Sequence, residues 1–386
     1  MMSMSDLLLA LVRVSEKAAN IARACRQEET LFSQLIQKKQ DVERNNAFVA
    51  DFKTLADVLV QEVIKHDIGK QFSDLKDHIY GEETNEFKNE LGEKIQVRMF
   101  EDVEDTARLL SKVLGGNMRV AEVLAVAAHQ DVPITDLQTD PLDIPIQGLG
   151  LWVDPIDSTY QYIKGISDAL PVGGLYSHGL QCVTVLIGVY DLQTGLPVMG
   201  VMNQPFVTLD PMTNRWTGQY FWGISSGSIN LSSVTPAGGK QKVAAPSRES
   251  GFSAVLSTSD SERVRTLLQQ GCEGRVSFAA GAGYKCLCVI LGLSDVYVFS
   301  QDATYRWDCC APHAILLSLG GGIANLRECL KSKRAGTMKE WVELVYNTPV
   351  EGVSGPEKWA NKGGLVAYRS KSDLERVLSL LSTINL

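Results

Sequence analysis

Residues 152–159 read Trp-Val-Asp-Pro-Ile-Asp-Ser-Thr and set two carboxylates, Asp154 and Asp157, around a proline and ahead of two hydroxyls, Ser158 and Thr159. With the carbonyl of Ile156 free between them, these groups offer hard oxygen ligands that converge on one point, the donor set that suits Mg2+. If a helical turn starts at Ser158 and Thr159, its unpaired N–H groups would suit a phosphate held against that ion. The same residues admit a second reading, an Asp-Pro turn followed by a Ser N-cap. The apolar lead-in at 149–153 predicts a buried strand. Pro155 lacks a backbone donor and should end it.

A phosphoryl-transfer site built on two or three cations needs more than two acids. The chain supplies further acids at Asp57, near the start of a helix predicted over 54–65, at Glu82 and Glu83 after a short strand at 78–80, and at Asp308 where a helix over 307–319 begins. Each has a structural alternative: Glu82-Glu83 as a solvated pair, and Asp308 beside Trp307 as a helix cap.

The elements that must position these groups follow from hydrophobic periodicity. Residues 4–40 read as two helices, and 104–114 and 119–129 as two more. Residues 131–148, rich in Asp, Pro and Gln, form a loop leading into the central motif. Strands at 181–190, 197–203 and 219–224 suggest an antiparallel sheet. Residues 225–250, rich in Ser, Gly, Pro and Lys, are the best candidate for a mobile loop or junction. Beyond them strands at 252–258, 275–279 and 295–299 alternate with helices at 259–269, 283–292 and 307–319, and a strand at 364–368 and a helix at 372–381 close the chain. The expected class is α+β joined to α/β. The expected division is 1–250, with the antiparallel sheet and most of the acids, and 251–386, the two packed as one unit with the active site between them.

Composition excludes several functions. The 386 residues carry 37 basic and 45 acidic side chains, a net charge of -8, which argues against holding nucleic acid through a basic surface. The longest apolar runs, 183–189 and 286–293, are too short to span a membrane. The apolar patch at 7–12 follows Asp6 and lacks a basic start, so no secretory signal is expected. The eight cysteines then read as reduced thiols of a cytosolic protein. Cys309 and His313 would share a helix face, the spacing of a zinc pair or a nucleophile and base, against the commoner role of buried core residues. Gly281-Ala282-Gly283 starts like a dinucleotide loop, but Cys286 stands at the third glycine position.

The order Asp57, Glu82-Glu83, Asp-Pro-Ile-Asp-Ser-Thr, Trp307-Asp308 resembles the lithium-sensitive, magnesium-dependent phosphatase family that includes inositol monophosphatase and fructose-1,6-bisphosphatase. The runs VDPIDSTYQYIKG, QCVTVLIGVYDLQTG, AAGAGYKCLCV and WANKGGLVAYRS are similar to its inositol polyphosphate branch along nearly the whole chain. The resemblance implies a layered αβαβα sandwich and Mg2+-dependent removal of the 1-phosphate from inositol 1,4-bisphosphate and inositol 1,3,4-trisphosphate, a step of phosphatidylinositol signalling, with Li+ as an inhibitor. It implies that Glu82, Asp154 and the Ile156 carbonyl hold a first Mg2+ and Asp154, Asp157 and Asp308 a second. Glu83 and Asp57 would flank a third, weaker position. Thr159 paired with Asp57 would orient and deprotonate the attacking water, with Glu83 assisting. Asp157, Ser158, Thr159, Ser259, Gly281 and Lys285 would contact substrate, Lys285 as a cation for a second phosphate. Where the family pattern leads one to expect a Lys shortly after Ser259, this chain has Asp260, Ser261 and Glu262, and Ser261 is the residue that could compensate. A 3'-nucleotidase of the same family is the rival enzyme; its motif resembles DPLDGT, and Ser158, Tyr160 and Tyr162 depart from it. An inactive inositol-phosphate-binding or scaffold protein is the rival of another class, and none of the six acids is missing. A monomer acting on a small molecule is expected.

Overall fold

The computed structural model describes residues 3–27, 32, 35–39, 43, 52–89, 91–135, 137, 146–234, 251–336 and 341–384. Helix α1 (Met4–Gln27) buries Leu7, Leu8, Leu11, Ala18, Ile21, Ala22 and Cys25, which recur at three- and four-residue intervals along one face. The second helix expected within 4–40 is replaced at its end by a strand, β1 (Ile36–Lys38), paired with β2 (Phe52–Thr54), and much of the rest of it lies outside the described residues. Helix α2 (Leu55–Gln71), strand β3 (Ile79–Gly81), the pair β4 (Glu86–Lys88) and β5 (Lys94–Gln96), and helices α3 (Val103–Val113) and α4 (Met118–His129) follow.

Strand β6 (Leu149–Asp157), the short helix α5 (Thr159–Lys164) and strands β7 (Thr184–Asp191), β8 (Pro197–Asp210), β9 (Arg215–Ser226) and β10 (Ile229–Ser232) come next. They build a six-stranded sheet of order β10-β9-β8-β7-β6-β3, antiparallel except for the parallel β3–β6 edge. Its strands alternate by face. Val185, Ile187 and Val189 point into the core shared with α1 and α2, whereas Leu186 and Tyr190 point into the second core. The described part of the loop at 131–148 carries neither helix nor strand; of the loop at 225–250, residues 235–250 lie outside the described residues and β10 occupies part of the remainder.

The last part of the chain alternates as expected: β11 (Ala254–Leu256), α6 (Glu262–Gly271), β12 (Val276–Phe278), α7 (Ala282–Ile290), β13 (Val296–Phe299) and α8 (Arg306–Ser318). It adds a strand and a helix that periodicity did not predict, β14 (Gly322–Asn325) and α9 (Leu326–Ala335), before β15 (Leu365–Tyr368) and α10 (Lys371–Leu380). The second sheet has the order β12-β11-β13-β15-β14, parallel around β11 and antiparallel around β15. Helices α7 and α8 lie between the two sheets. Helices α6, α9 and α10 cover the outer face of the second sheet and α1 and α2 that of the first, which completes five layers, αβαβα.

One expectation about β6 is corrected. The strand does not stop at Pro155 but runs to Asp157, with a register break against β7 between Asp154 and Asp157. On its other side β3 ends opposite Val153. Pro155 thus falls where one neighbour has ended and the other pairing is interrupted, so its missing N–H costs no ladder bond.

Candidate active site

Two of the acids reach the site by a related local device. Asp57 and Asp308 each sit at the third position of a helix and accept from the backbone N–H of its N-cap residue; with Thr54 as N-cap, Asp57 closes a full capping box, whereas the Tyr305 side chain makes no cap. In α2, Asp57 Oδ2 accepts from the Thr54 N–H at 2.6 Å and from the Thr54 hydroxyl at 2.5 Å. In α8, Asp308 Oδ2 accepts from the Tyr305 N–H at 2.7 Å. One oxygen of each carboxylate satisfies the helix end, and the other is left for the site.

Asp154 and Asp157 come from the two sides of the β6 register break. One oxygen from each of Asp154, Asp157 and Asp308 lies within 4.8 Å of the others, and all three side chains are buried. Asp157 is held by Thr184 of β7, whose hydroxyl donates to Oδ2 at 3.1 Å, and by the Gly283 N–H at the start of α7, at 3.0 Å. The glycines before α7 serve this approach: a Cβ at Gly283 would stand 2.6 Å from Thr184 Oγ1 and 2.9 Å from Asp157 Oδ2, and Gly281 (φ 76°) takes a conformation that side chains disfavour. This Gly-rich turn wraps a carboxylate, which disposes of the dinucleotide-loop reading.

Burial pushes the carboxyl groups of Asp154 and Asp308 well above the usual range, and repulsion from Glu82 and Asp157 adds to it. Asp157 is raised less, because Lys285, Thr184 and Gly283 favour its ionised form. Burial raises Asp57 to about 7 and Glu83 to about 8.

Glu82 and Glu83 are not a solvated pair. Lys39 Nζ lies 2.5 Å from Glu82 and 2.6 Å from Glu83, and Glu83 is only 6% exposed. Gln61 of α2 fixes their backbone, donating to the Glu83 carbonyl and accepting from the Glu83 N–H at 2.9 Å. Asp57 is joined to the central motif through Thr159, whose hydroxyl lies 3.4 Å from Asp57 Oδ1 and 3.0 Å from the Ile156 carbonyl. Ser158 stands before α5 with φ 72° and makes no side-chain cap, so the Ser N-cap alternative fails.

A cleft of about 430 Å3 is lined by Glu82, Asp154, Ile156, Asp157, Ser158, Thr159, Ser259, Gly281, Lys285 and Asp308. Asp57 and Glu83 stand behind its wall. Lys285, only 3% exposed, donates to the carbonyls of Gly281 at 2.7 Å and Ala279 at 3.2 Å, and burial lowers its pKa. Ser261 does not replace the expected Lys: its hydroxyl caps α6 by accepting from the Val264 N–H, and Asp260 is buried against Ser300. Sequence reasoning missed Lys39, Gln61 and Thr184, which act across tertiary contacts and carry no local motif.

The zinc and nucleophile readings of Cys309 and His313 also fail. Both ring nitrogens of the fully buried His313 are engaged, with Tyr346 Oη and Glu343 Oε2 each at 2.9 Å. Burial pushes the Cys309 thiol well above its ordinary range, which opposes the thiolate that either chemistry requires.

The signature of the inositol monophosphatase family matches residues 9–374. The chain belongs to that family. Inositol polyphosphate 1-phosphatase of Mus musculus is 54% identical over 386 aligned residues, covering 98% of this chain and 97% of that protein. The Homo sapiens protein of the same name is 53% identical over 393 residues, with the same shares. The 3'(2'),5'-bisphosphate nucleotidase 1 of Dictyostelium discoideum is 31% identical over 231 residues, 58% of this chain and 60% of that protein. The extragenic suppressor protein suhB from Bartonella henselae aligns over 98% of this chain and 99% of its own with a TM-score of 0.47 at 11% identity. In this inositol monophosphatase family member, the acids spread between residues 57 and 308 in sequence meet around one cleft, or directly behind its wall. Among the described residues no helix is long and apolar enough to cross a membrane.

Proposed function

We propose that the chain is a Mg2+-dependent phosphomonoesterase that removes the 1-phosphate from inositol polyphosphates, inositol 1,4-bisphosphate and inositol 1,3,4-trisphosphate, with Li+ as an inhibitor. The carrying observation is the buried triad Asp154, Asp157 and Asp308 in the cleft of a chain that aligns over 98% of its length with inositol polyphosphate 1-phosphatases. The triad fits a divalent cation: Asp154 Oδ1 is buried with no hydrogen-bond partner among the described residues, and clustered buried carboxylates repel one another unless a cation or protons intervene.

In this reading Glu82, Asp154 and the Ile156 carbonyl hold one Mg2+ and Asp154, Asp157 and Asp308 another, while Glu83 and Asp57 border a third, weaker position where Li+ would compete. Bound Mg2+ supplies charge neutralisation at phosphate oxygens and acidifies a coordinated water. The chain's own contribution is position and proton transfer. The Thr159 hydroxyl links the cleft to the buried Asp57, so a water donating to that hydroxyl is aligned by the Thr159–Asp57 pair. Asp57 accepts from the Thr159 hydroxyl at 3.4 Å, so a proton released by that water can pass through Thr159 to its carboxylate. Ser158 and Thr159 contact the transferred phosphate, and Ser259, Gly281 and Lys285 border the rest of the substrate.

Residues 1–250 and 251–386 are read as the two halves of one unit with the cleft between them. We read the protein as a cytosolic monomer; the eight free, buried cysteines suit a reducing setting. Phosphate release from a panel of inositol phosphates, adenosine 3',5'-bisphosphate and fructose bisphosphate, with Mg2+ and with or without Li+, tests the proposal. Turnover of the inositol bisphosphate that requires Mg2+ and falls with Li+ is expected; release from the adenosine bisphosphate alone would overturn it.

A further inference from the structure

Asp308 reaches Asp154 and Asp157 from a different layer of the sandwich, so the distance between α8 and the first sheet decides whether the three carboxylates meet. Three glycines set that distance. Gly188 of β7, Gly200 of β8 and Gly223 of β9 are paired in register, 188 opposite 200 and 200 opposite 223. Residues directly opposite in antiparallel strands project from the same face. The three therefore form a continuous row without side chains, and α8 lies against it.

The contacts are with helix backbone. A Cβ at Gly200 would fall 2.1 Å from the Ala311 carbonyl oxygen and 2.8 Å from its carbon. One at Gly188 would fall 2.5 Å from the Ala311 nitrogen, and one at Gly223 2.7 Å from Ile315 Cα. None of the three has a positive φ. Conformational freedom is thus not why glycine stands there, and glycine in strand interiors is otherwise unfavourable. What the row provides is space for the helix backbone.

From the other side, the start of α8 is clamped by the fully buried Asn361. Its side chain donates to the Tyr305 carbonyl at 2.8 Å and to Thr304 Oγ1 at 3.3 Å, and its N–H donates to the Thr304 carbonyl at 2.7 Å. The helix is fixed between this clamp and the glycine row, with Asp308 one turn from the Ala311 contact. Opposite it stands Asp154, 1% exposed, with the unpartnered Oδ1.

We propose that the row Gly188, Gly200 and Gly223 is a positioning device that sets the height of Asp308 above Asp154 and Asp157, and thereby the divalent-cation affinity of the site. The inference rests on reading those three acids as metal ligands. Ordinary contact begins at 3.4 Å, against 2.1 Å for a Cβ at Gly200, so Gly200→Ala must lift α8 by about 1 Å. Mg2+ tolerates only a few tenths of an ångström in its ligand distances.

The test is Mn2+ binding to the whole protein, followed by electron paramagnetic resonance, beside thermal unfolding in EDTA. The control is Gly271→Ala, which forces a Cβ to within 2.5 Å of Leu380 in the outer core, away from the cleft. Gly200→Ala is expected to lose at least about tenfold in Mn2+ affinity, whereas Gly271→Ala lowers the melting temperature and keeps wild-type affinity. Wild-type affinity in folded Gly200→Ala overturns the inference, as does an equal loss in the control. Should Gly200→Ala fail to fold, Gly223→Ala carries the test, because one of its close neighbours is the movable Ser318 hydroxyl; weakened binding supports the proposal and wild-type binding overturns it. Asp154→Asn separates the two levels. If that variant also binds Mn2+ as wild type, the metal reading fails and takes this inference with it; if it loses Mn2+ while Gly200→Ala does not, only the positioning inference fails.

Discussion

Thr184→Val should weaken Mg2+ binding without weakening the fold. Thr184 is fully buried, and its hydroxyl donates to Asp157 Oδ2 at 3.1 Å, one of two hydrogen bonds that reach this carboxylate among the described residues. Valine has nearly the same shape, so no cavity opens and only the donor is lost. A hydrogen bond to a charged group contributes about 1.5–3 kcal/mol. Where that loss falls depends on the charge of Asp157. In the metal-free protein, burial already raises its pKa, and without Thr184 it can escape the loss by taking a proton. With a cation bound it must be ionised and cannot. Most of the loss therefore falls on the metal-loaded state, and the Mg2+ midpoint should rise about tenfold or more, at about 1.4 kcal/mol per factor of ten. The shift should be larger at pH 6 than at pH 8, since Asp157 now protonates more readily. Mg2+ titrations of phosphate release and of the melting temperature at the two pH values measure it. An unchanged midpoint, or a melting temperature in EDTA that falls as far as that in Mg2+, would refute the argument.

Three further outcomes are expected. Thr159→Ala removes the hydrogen bond between the cleft and Asp57, so turnover should fall about 100-fold or more while the melting temperature changes little; parallel losses would assign Thr159 a structural role. The metal-free protein should lose stability with rising pH. Asp57 and Glu83 are raised in the fold to about 7 and about 8 from ordinary values of 3.8 and 4.5, so their contribution is complete below the ordinary values and is lost as pH climbs through the raised ones. The rise in melting temperature that Mg2+ produces should accordingly grow between pH 5 and pH 8, and a constant or shrinking rise would contradict it. His313→Gln disturbs the hydrogen bonds to Tyr346 and Glu343 and should destabilise the fold by about 1–3 kcal/mol in denaturant unfolding, with the Mg2+ midpoint unchanged; a shifted midpoint would tie this buried network to the metal site.

How far the site could be read from the chain depends on the range of the forces that build it. Asp154, Asp157, Ser158 and Thr159 were legible because their convergence is produced within one strand end. The layered fold was legible because its strands and helices carry regular periods and because long runs resemble a known family. Thr184, Gln61, Lys39 and the glycine row were not, since each acts on a partner from another element and none has a local pattern. Periodicity also passed over β14, whose Gly322-Ile323-Ala324-Asn325 is too short and too weakly apolar to register. The stop assigned to Pro155 failed for a similar reason: whether a missing donor matters depends on where β3 ends, which β6 alone does not reveal.

Asp57 and Asp308 show something different. Helix cap and metal ligand stand as competing explanations when a residue is weighed alone, because a carboxylate near a helix start is common and explained by either. A carboxylate has two oxygens, and in both residues one accepts from the N-cap backbone N–H while the other is left toward the site. On the metal reading proposed above, the cap would serve the ligand: it locks the side-chain torsions before any cation arrives, so the ordering entropy would be met during folding and not on metal binding. By that argument, breaking the Asp57 box from its other end, by Thr54→Val, should loosen Asp57 and, since the lost hydroxyl favoured its ionised form, raise its pKa further; the loss should appear in turnover through the pair with Thr159 as well as in the melting temperature, and unchanged turnover would refute it.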